Sequence, residues 1–416
     1  MKLKKITLNF FFGDILLDQI VEQTNRYARE VIQKSSPITR ISMWFDWTDV
    51  TREEFKVFLG FIMNMSLNEK SSIQEYFALE WLSRQDCFPA ISSRRRFHQI
   101  YRSFHLAPPL PPSDRSMRTR GHKVRNIVEH IDGKCREMFS PGQNIFIDES
   151  TIAFKGRVIF KRYNPQKPTK WGIRVYTVAD SETAFICGFV PYFGKPTTDS
   201  LVRPDIPFKT RIVLHLIQKI QYDCPAEGRH AYTDRFCTSL DLASESLTMK
   251  THTTGTIVPN RKNLPPEVST VFLFPFFKVQ ILMIILLFSG ERPPIAKKLK
   301  KVDILALKKK DITVVAWKDK RPVLIMRTFH ESGTADLVRK KAGGAEEEVT
   351  KPVAVQDYTT QMGGVDRADH FCATYNFARK LKKKWQQVFF FGSLKSALST
   401  RSFCRTSCVK IGRKEK

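Results

Sequence analysis

Asn144-Ile-Phe-Ile-Asp-Glu-Ser150, running on into Thr151-Ile-Ala-Phe-Lys-Gly156, is the stretch whose reading decides the fold. Ile145, Phe146 and Ile147 form a short apolar run with strand character. The run ends on two adjacent carboxylates, Asp148 and Glu149. Burying a strand whose tip carries a free carboxylate is costly unless the charge meets a cation or a metal. Taken alone, such a tip reads first as an acidic turn after an edge strand. It gains meaning from further acids in similar settings downstream.

Working outward, Lys170-Trp-Gly-Ile-Arg-Val-Tyr-Thr-Val-Ala179 reads as a strand with apolar residues on both faces. Asp180-Ser-Glu-Thr183 reads as a turn, and Ala184 to Phe193 as the returning strand, so three antiparallel strands follow one another. Arg211 to Ile220 has helical periodicity. Arg229-His-Ala-Tyr-Thr-Asp-Arg-Phe236 is a further strand with a carboxylate, Asp234, near its C-terminal end. Strand ends are where α/β sheets place chemistry. A third acid is offered by Gln361-Met-Gly-Gly-Val-Asp-Arg-Ala-Asp-His370, where Gly363 and Gly364 break the chain before a helix. Asp366 and Asp369, three residues apart, share one face of its first turn. Acids are also favoured at a helix N-terminus by its dipole alone. With Asp148 and Asp234, however, they describe a two-metal centre that activates water and clamps a phosphodiester.

The charge balance agrees with a phosphodiester substrate. The 416 residues hold 69 Lys and Arg against 41 Asp and Glu, a formal net charge of +28. Such an excess points to a polyanion, most often nucleic acid, with a membrane surface as the competitor. The 32 phenylalanines argue for folded basic domains rather than a disordered basic tail. The eight cysteines show no CxxC pair and no disulfide-framework spacing, and read as reduced thiols of an intracellular protein with no signal peptide. Cys404 and Cys408 are the only close pair, and no His follows at zinc-site spacing.

Upstream of the central strand the chain reads as helical. Asp14 is placed as a cap for a helix through Ile15, Leu16, Ile20 and Val21, and Thr51-Arg-Glu-Glu54 as a capping box. Ser92 to His105 is an amphipathic helix with Arg94, Arg95 and Arg96 on a basic face, either solvated or contacting phosphates. Four prolines between Ala107 and Pro112 form a rigid connector, and periodicity resumes from Lys123 to Met138.

At the residues quoted, the chain resembles the piggyBac family of DNA transposases, including their domesticated relatives. The matching segments are Ile147 to Arg157, Tyr163-Asn-Pro-Gln-Lys-Pro-Thr-Lys-Trp-Gly-Ile173, Tyr232-Thr-Asp-Arg-Phe-Cys-Thr-Ser239, Gly255 to Pro265, Trp317 to Val323 and Met362-Gly-Gly-Val-Asp-Arg-Ala-Asp369. The resemblance runs from about residue 10 to about 395. It implies an α/β fold: an RNase H-like catalytic core, preceded by a helical DNA-binding region and interrupted by an insertion domain. It implies a helical DNA-binding and dimerisation region at 1–140, core at 141–250, insertion at 251–350, core again at 351–400 and a short basic tail at 401–416. The implied catalytic residues are Asp148, Asp234 and Asp366, which with Asp369 would hold two Mg2+ ions. The implied chemistry is nicking of a transposon end followed by attack of the freed 3′-hydroxyl on the opposite strand, with TTAA as target. The implied partners are double-stranded DNA and a second copy of the chain, in the nucleus and not at a membrane. The expected DNA contacts are Arg94, Arg95, Arg96, Lys170, Arg261, Lys262, Lys382, Lys383 and Lys384.

Three features depart from the family pattern. Residues 271–289 are apolar where a lysine-rich segment is expected, but Pro275, Lys278 and Gln280 interrupt them, so a foreign exon or altered frame is favoured over a membrane span. The cysteine-rich zinc-binding end is reduced to Cys404 and Cys408, so zinc is not expected and excision is expected to be poor. Arg235 and Cys237 stand where the family carries a polar amide or an aromatic residue. The alternative to an active transposase is therefore a domesticated DNA-binding protein that has lost transposition. Either way, binding to duplex DNA should weaken steeply and log-linearly with salt. Filter binding or anisotropy across a salt series checks this, and a flat response would remove the electrostatic footprint.

Overall fold

Ile145, Phe146 and Ile147 become the buried middle of a sheet because both of their neighbours in it are strands that also turn apolar residues inward. A computed structural model describes residues 11–65, 68–80, 84–111, 113, 120–165, 167, 169–259, 261–264, 304–318, 321–329, 333–340, 346–363, 367 and 384–392. Among these, strand β1 (Asn144–Ala153) is followed by β2 (Arg162–Tyr163), β3 (Trp171–Asp180), β4 (Ile186–Pro191), β5 (Arg229–Thr233) and β6 (Thr251–Thr256). Then come β7 (Ile304–Lys309), β8 (Ile312–Lys318), β9 (Pro322–Arg327), β10 (Thr334–Lys340) and β11 (Glu346–Pro352).

The large mixed sheet runs β2-β3-β1-β5-β6-β9-β8-β7, with β4 also paired to β3. β3 lies antiparallel to β1, and β4 antiparallel to β3, as the succession of strands around the Asp180–Thr183 turn predicted. β5 pairs parallel to β1 and β6 parallel to β5. Parallel neighbours need crossovers, and helices supply them. The turn between β3 and β4 is set by Asp180, whose carboxylate accepts from the amides of Gly142 (3.0 Å) and Thr183 (2.8 Å). Residues 304–327 extend this same sheet from β6 through two antiparallel hairpins, while β10 and β11 pair only with each other.

The helices are α1 (Asp14–Lys34), α2 (Arg52–Met65), α3 (Cys87–Ile91), α4 (Arg94–Ser103), α5 (Arg125–Met138), α6 (Lys195–Ser200), α7 (Phe208–Asp223), α8 (Leu240–Thr248), α9 (Val353–Gln361) and α10 (residues 385–392). Two of their expected caps form differently. Gly13 is the α1 cap, and Asp14 sits inside the first turn, paired with Lys56 and Arg52. At α2, Thr51 Oγ1 accepts the Glu54 amide (3.1 Å), but the Glu54 carboxylate turns away to grip Arg96 (2.5 and 2.6 Å). A bidentate charge-assisted pair outcompetes a bond to a neutral amide.

One hydrophobic cluster joins the helices to the sheet, from Phe11 and Phe12 through Ile145–Ile147 to Phe389, Phe390 and Phe391. Phe390 meets Phe12 (5.3 Å between centroids) and Phe104 (5.2 Å) edge-on, and Trp385 meets Phe160 (5.1 Å). Edge-to-face packing of this kind adds to plain burial. No described helix is long and apolar enough to cross a membrane, and residues 271–289 lie outside the described residues. The described cysteines are all free. Phe390→Ala should cost about 3–5 kcal/mol, because a fully buried ring in a rigid cluster leaves a cavity. Denaturant unfolding checks it, and a loss below about 1 kcal/mol would mean that α10 is not docked on the N-terminal helices.

Candidate active site

The parallel pairing of β1 and β5 sets the geometry. Ile147 lies opposite Thr233, so Asp148 and Asp234 follow at the same height on adjacent strands. Neighbouring strands are only about 4.8 Å apart, and residues level with each other on parallel strands face the same side. Asp148 still belongs to β1 and faces Thr177 of β3, whereas β5 has ended and Asp234 opens a turn.

That turn is fixed from several directions. Asp234 Oδ1 accepts the amides of Phe236 (3.0 Å) and Cys237 (3.2 Å), and Thr238 donates its hydroxyl to the Asp234 carbonyl (2.7 Å). Gly255 of β6 passes so close that a Cβ would lie 2.2 Å from Thr238 Oγ1 and 2.5 Å from the Thr233 carbonyl oxygen. No other residue fits there without moving the turn. Arg261 donates to the carbonyls of Arg235 and Phe236.

Asp148 is held in parallel fashion. Its Oδ1 accepts the Glu149 amide (2.7 Å), and Lys167 Nζ stands 3.7 Å from Oδ2. Burial dominates its electrostatics and lifts its pKa from 3.8 to about 7; the Asp234 and Glu149 charges push the same way and Lys167 opposes them. Glu149, on the opposite face of the strand, is also raised by burial, against the pull of Arg174 3.5 Å away. Tyr358 of α9 feels both aspartates, and burial drives its phenol up to about 12. Its hydroxyl lies 3.3 Å from Thr256 Oγ1 at the end of β6. Helix α9 therefore lies beside both acids, and it leads into the Gly363-Gly364 segment.

Asp366 and Asp369 lie outside the described residues, as do Lys382 and Lys383. Arg367 is described: its amide donates to the Gly363 carbonyl (3.1 Å) and its guanidinium to the Ser181 carbonyl, beside the start of β1. Among the described residues no group of three His, Cys, Asp or Glu side chains forms a metal cluster. Of the expected DNA contacts, Arg94, Lys170 and Lys262 are exposed, as is Arg95 although it is tied to Asp46. Others are engaged within the fold. Arg96 clamps Glu54 and bonds the Thr48 carbonyl (2.9 Å), Arg95 holds Asp46 (2.9 Å) and the Ser42 carbonyl (2.7 Å), and Arg261 holds the Asp234 turn. Lys384 bonds the Arg102 carbonyl and lies over the Tyr27 ring (4.6 Å), where burial lowers its pKa to about 8.

Sequence reading named Glu149 beside Asp148 without giving it a role, and did not single out Lys167, Arg174 or Tyr358. Lys167 lies inside the quoted Asn164-Pro-Gln-Lys167 segment, and its motif was the one available signal; the others depend on partners distant in sequence.

With this geometry in view, comparison with known proteins places the chain. A family profile described as Transposase IS4 matches residues 7–398, which makes it a transposase-family protein. Within that class it belongs to the piggyBac transposase family. PiggyBac transposable element-derived protein 3 of Homo sapiens is 24% identical over 394 residues, and PiggyBac transposable element-derived protein 5 of Homo sapiens 22% over 392; each alignment covers 92% of this chain. The chain spans 58% of the length of the first of these and 67% of the second. The cryo-EM structure of a piggyBac transposase synaptic complex with hairpin DNA shares the fold, with a TM-score of 0.74 at 22% identity, covering 99% of this chain and 76% of that one.

The Asp148 carboxyl has a testable signature. Its folded pKa lies above its unfolded one, so its contribution to stability is present below about pH 4 and is lost as pH rises through about 7. Asp148→Asn, neutral throughout, should match the parent near pH 4 in EDTA. At pH 8 it should be the more stable of the two, by at most about 4 kcal/mol. Thermal melts at both pH values check this; an equal shift at both would show a solvated carboxylate.

Proposed function

We propose that the chain is a metal-dependent DNA strand-cleaving and strand-transferring enzyme with a DDD triad of Asp148, Asp234 and Asp366, built on an RNase H-like core. The observation that carries this reading is that Asp148 and Asp234 each follow directly on the last residue pair of the adjacent parallel strands β1 and β5, with the Asp148 charge disfavoured by burial and by its acidic neighbours. The order β4-β3-β1-β5-β6, antiparallel on one side of β1 and parallel on the other, supports the RNase H-like assignment.

The residues present fit a hard divalent cation. Carboxylate oxygens are the ligands that magnesium prefers, and a carboxyl whose pKa burial lifts to about 7 is relieved by a bound cation. Asp148 and Asp234 would hold it, with Asp366 and Asp369 as the further acids. Bound there, Mg2+ would supply charge neutralisation on a phosphodiester and a more acidic water. The chain's own share is positional. Backbone amides orient Oδ1 of both aspartates, Lys167 keeps positive charge beside Asp148, and Arg174 does the same for Glu149. Arg94, Lys170 and Lys262 are the exposed candidates for phosphate contact. TTAA-flanked ends as substrate, a homodimeric assembly, a nuclear location and the division at 140, 250 and 350 follow from family membership and belong to this reading.

A second reading, a domesticated DNA-binding protein, is favoured by the apolar stretch 271–289 in place of a basic one. One experiment separates the two. Nicking of duplex DNA carrying a TTAA-flanked end should require Mg2+ and fall by more than about 100-fold in Asp148→Asn, Asp234→Asn or Asp366→Asn, with Asp369→Asn affected less. Full activity of Asp234→Asn would sink the triad, and binding without any cleavage by the parent chain would favour the second reading.

A further inference from the structure

Residues 151–179 hold seven Lys and Arg and no Asp or Glu. This segment contains an aromatic pair that the core does not use. Tyr163 and Trp171 are cross-strand partners of β2 and β3, with centroids 4.5 Å apart, yet they remain 51% and 44% exposed. Two large rings in contact and half open form an apolar patch rather than a scattered exposure, and most other large rings among the described residues are buried. Cations border the pair. Lys161 Nζ lies 4.9 Å from the Trp171 ring centroid, and the exposed Arg162 guanidinium sits over Tyr192 at 4.8 Å and bonds its hydroxyl at 3.0 Å. Lys170 adjoins Trp171 and is exposed.

The position of the pair gives it a role. Thr177 of β3 faces Asp148, and Trp171 lies six residues along the same strand, an even interval that keeps it on the Asp148 face. At about 3.3 Å per residue the pair stands roughly 20 Å from the acids. The loop that Tyr163 and Trp171 close at its base runs back and brings Lys167 to 3.7 Å from Asp148. A polynucleotide strand reaching the acids along this face passes the rings and then Lys167.

We propose that Tyr163 and Trp171 form a stacking platform for an unpaired base of DNA whose adjoining phosphates are met by Arg162 and Lys170. This deepens the nucleic-acid reading above and rests on it. The pair is closed to intercalation, because 4.5 Å between centroids leaves no room for a base between the rings; what it offers is the outer ring surface. In a duplex each base face is already covered, so a platform of this kind gains only from a base free on one side, in a loop, a frayed end or a single strand. Phosphates beside that base fit the all-cationic segment.

The test is binding in EDTA, which removes cleavage from the measurement. A DNA hairpin with a short unpaired loop is compared with a blunt duplex of the same stem. The Tyr163→Ala/Trp171→Ala chain should lose about tenfold or more in affinity for the looped DNA and less than about twofold for the duplex. The Tyr163→Phe/Trp171→Phe chain, which keeps the rings, should bind both like the parent, and it controls for a disturbed loop. Quenching of tryptophan fluorescence by the looped DNA should diminish in Trp171→Phe. Equal losses on both DNAs, or an unchanged preference in the alanine variant, would overturn the platform while leaving the metal-dependent reading intact. A parent chain that binds neither DNA would instead remove the nucleic-acid reading itself, and with it the platform.

Discussion

Desolvation of the Asp148 carboxylate is the constraint on which the site depends. A carboxyl held near pH 7 at the end of a buried strand, beside Asp234 and across the strand from Glu149, costs up to about 4 kcal/mol when ionised. Set against a total stability of order 5–15 kcal/mol, that is a large local penalty. The surroundings leave the acids no route of escape. Asp148 is held by pairing with Thr177 of β3, one residue past the last β1–β5 pair, and Asp234 by a turn that its own carboxylate, Thr238, Gly255 and Arg261 all fix. Moving the backbone of either acid toward solvent would break several of these contacts at once. A site that cannot relax its repulsion by moving will relax it by taking up a proton or a cation.

The force holding β1 against this penalty comes from burial that extends well beyond the sheet. Ile145, Phe146 and Ile147 are almost wholly buried, and the cluster they join includes rings from the first helices and from α10. Phe12, Phe104 and Phe390 interlock edge to face, and Gln387 bonds the carbonyl of Tyr101 (2.9 Å) at the same junction. The N-terminal helices therefore do not hang from the sheet by a linker. They share its core, and a cavity opened at their junction with α10 would be felt by the strand that carries Asp148.

Much of this was legible in the sequence, and what escaped did so for one reason. The strand from Lys170 to Ala179 with apolar residues on both faces, the apolar run before Asp148 and the acid near the end of the Arg229 strand are local patterns, and all lie in one sheet. That the two acids would sit on neighbouring strands was not legible; the parallel pairing of β1 with β5 puts them there. Patterns that depend on distant partners were not readable. Glu54 completes a local capping motif, yet its carboxylate goes to Arg96, 42 residues away. Arg95 and Arg96 look like a free basic face until Asp46, Glu54 and the carbonyls of Ser42 and Thr48 are placed around them. Likewise nothing local says that residues 304–327 extend the main sheet, because the pairing of Gly255 with Met326 spans a long stretch of chain.

The internal use of arginine also changes what the net charge of +28 means. Arg211, Arg229 and Arg327 are nearly inaccessible; Arg211 bonds the carbonyls of Thr198, Leu201 and Val202, and Arg229 that of Cys224. Such groups add to the count and little to the field outside. What matters for a polyanion approaching two carboxylates is the charge within a few ångströms of them, since beyond about 8–10 Å salt screens exposed groups. There the structure is specific. Lys167 faces Asp148, Arg174 faces Glu149, and Arg174 and Lys209 both lie over the Phe236 ring, at 5.9 and 4.0 Å, just past Asp234. Lys167 is thus the cation beside Asp148, while Arg174 and Lys209 flank the Asp234 turn through Phe236. On the nucleic-acid reading proposed above, a phosphate attracted by these cations meets carboxylates that are already in place.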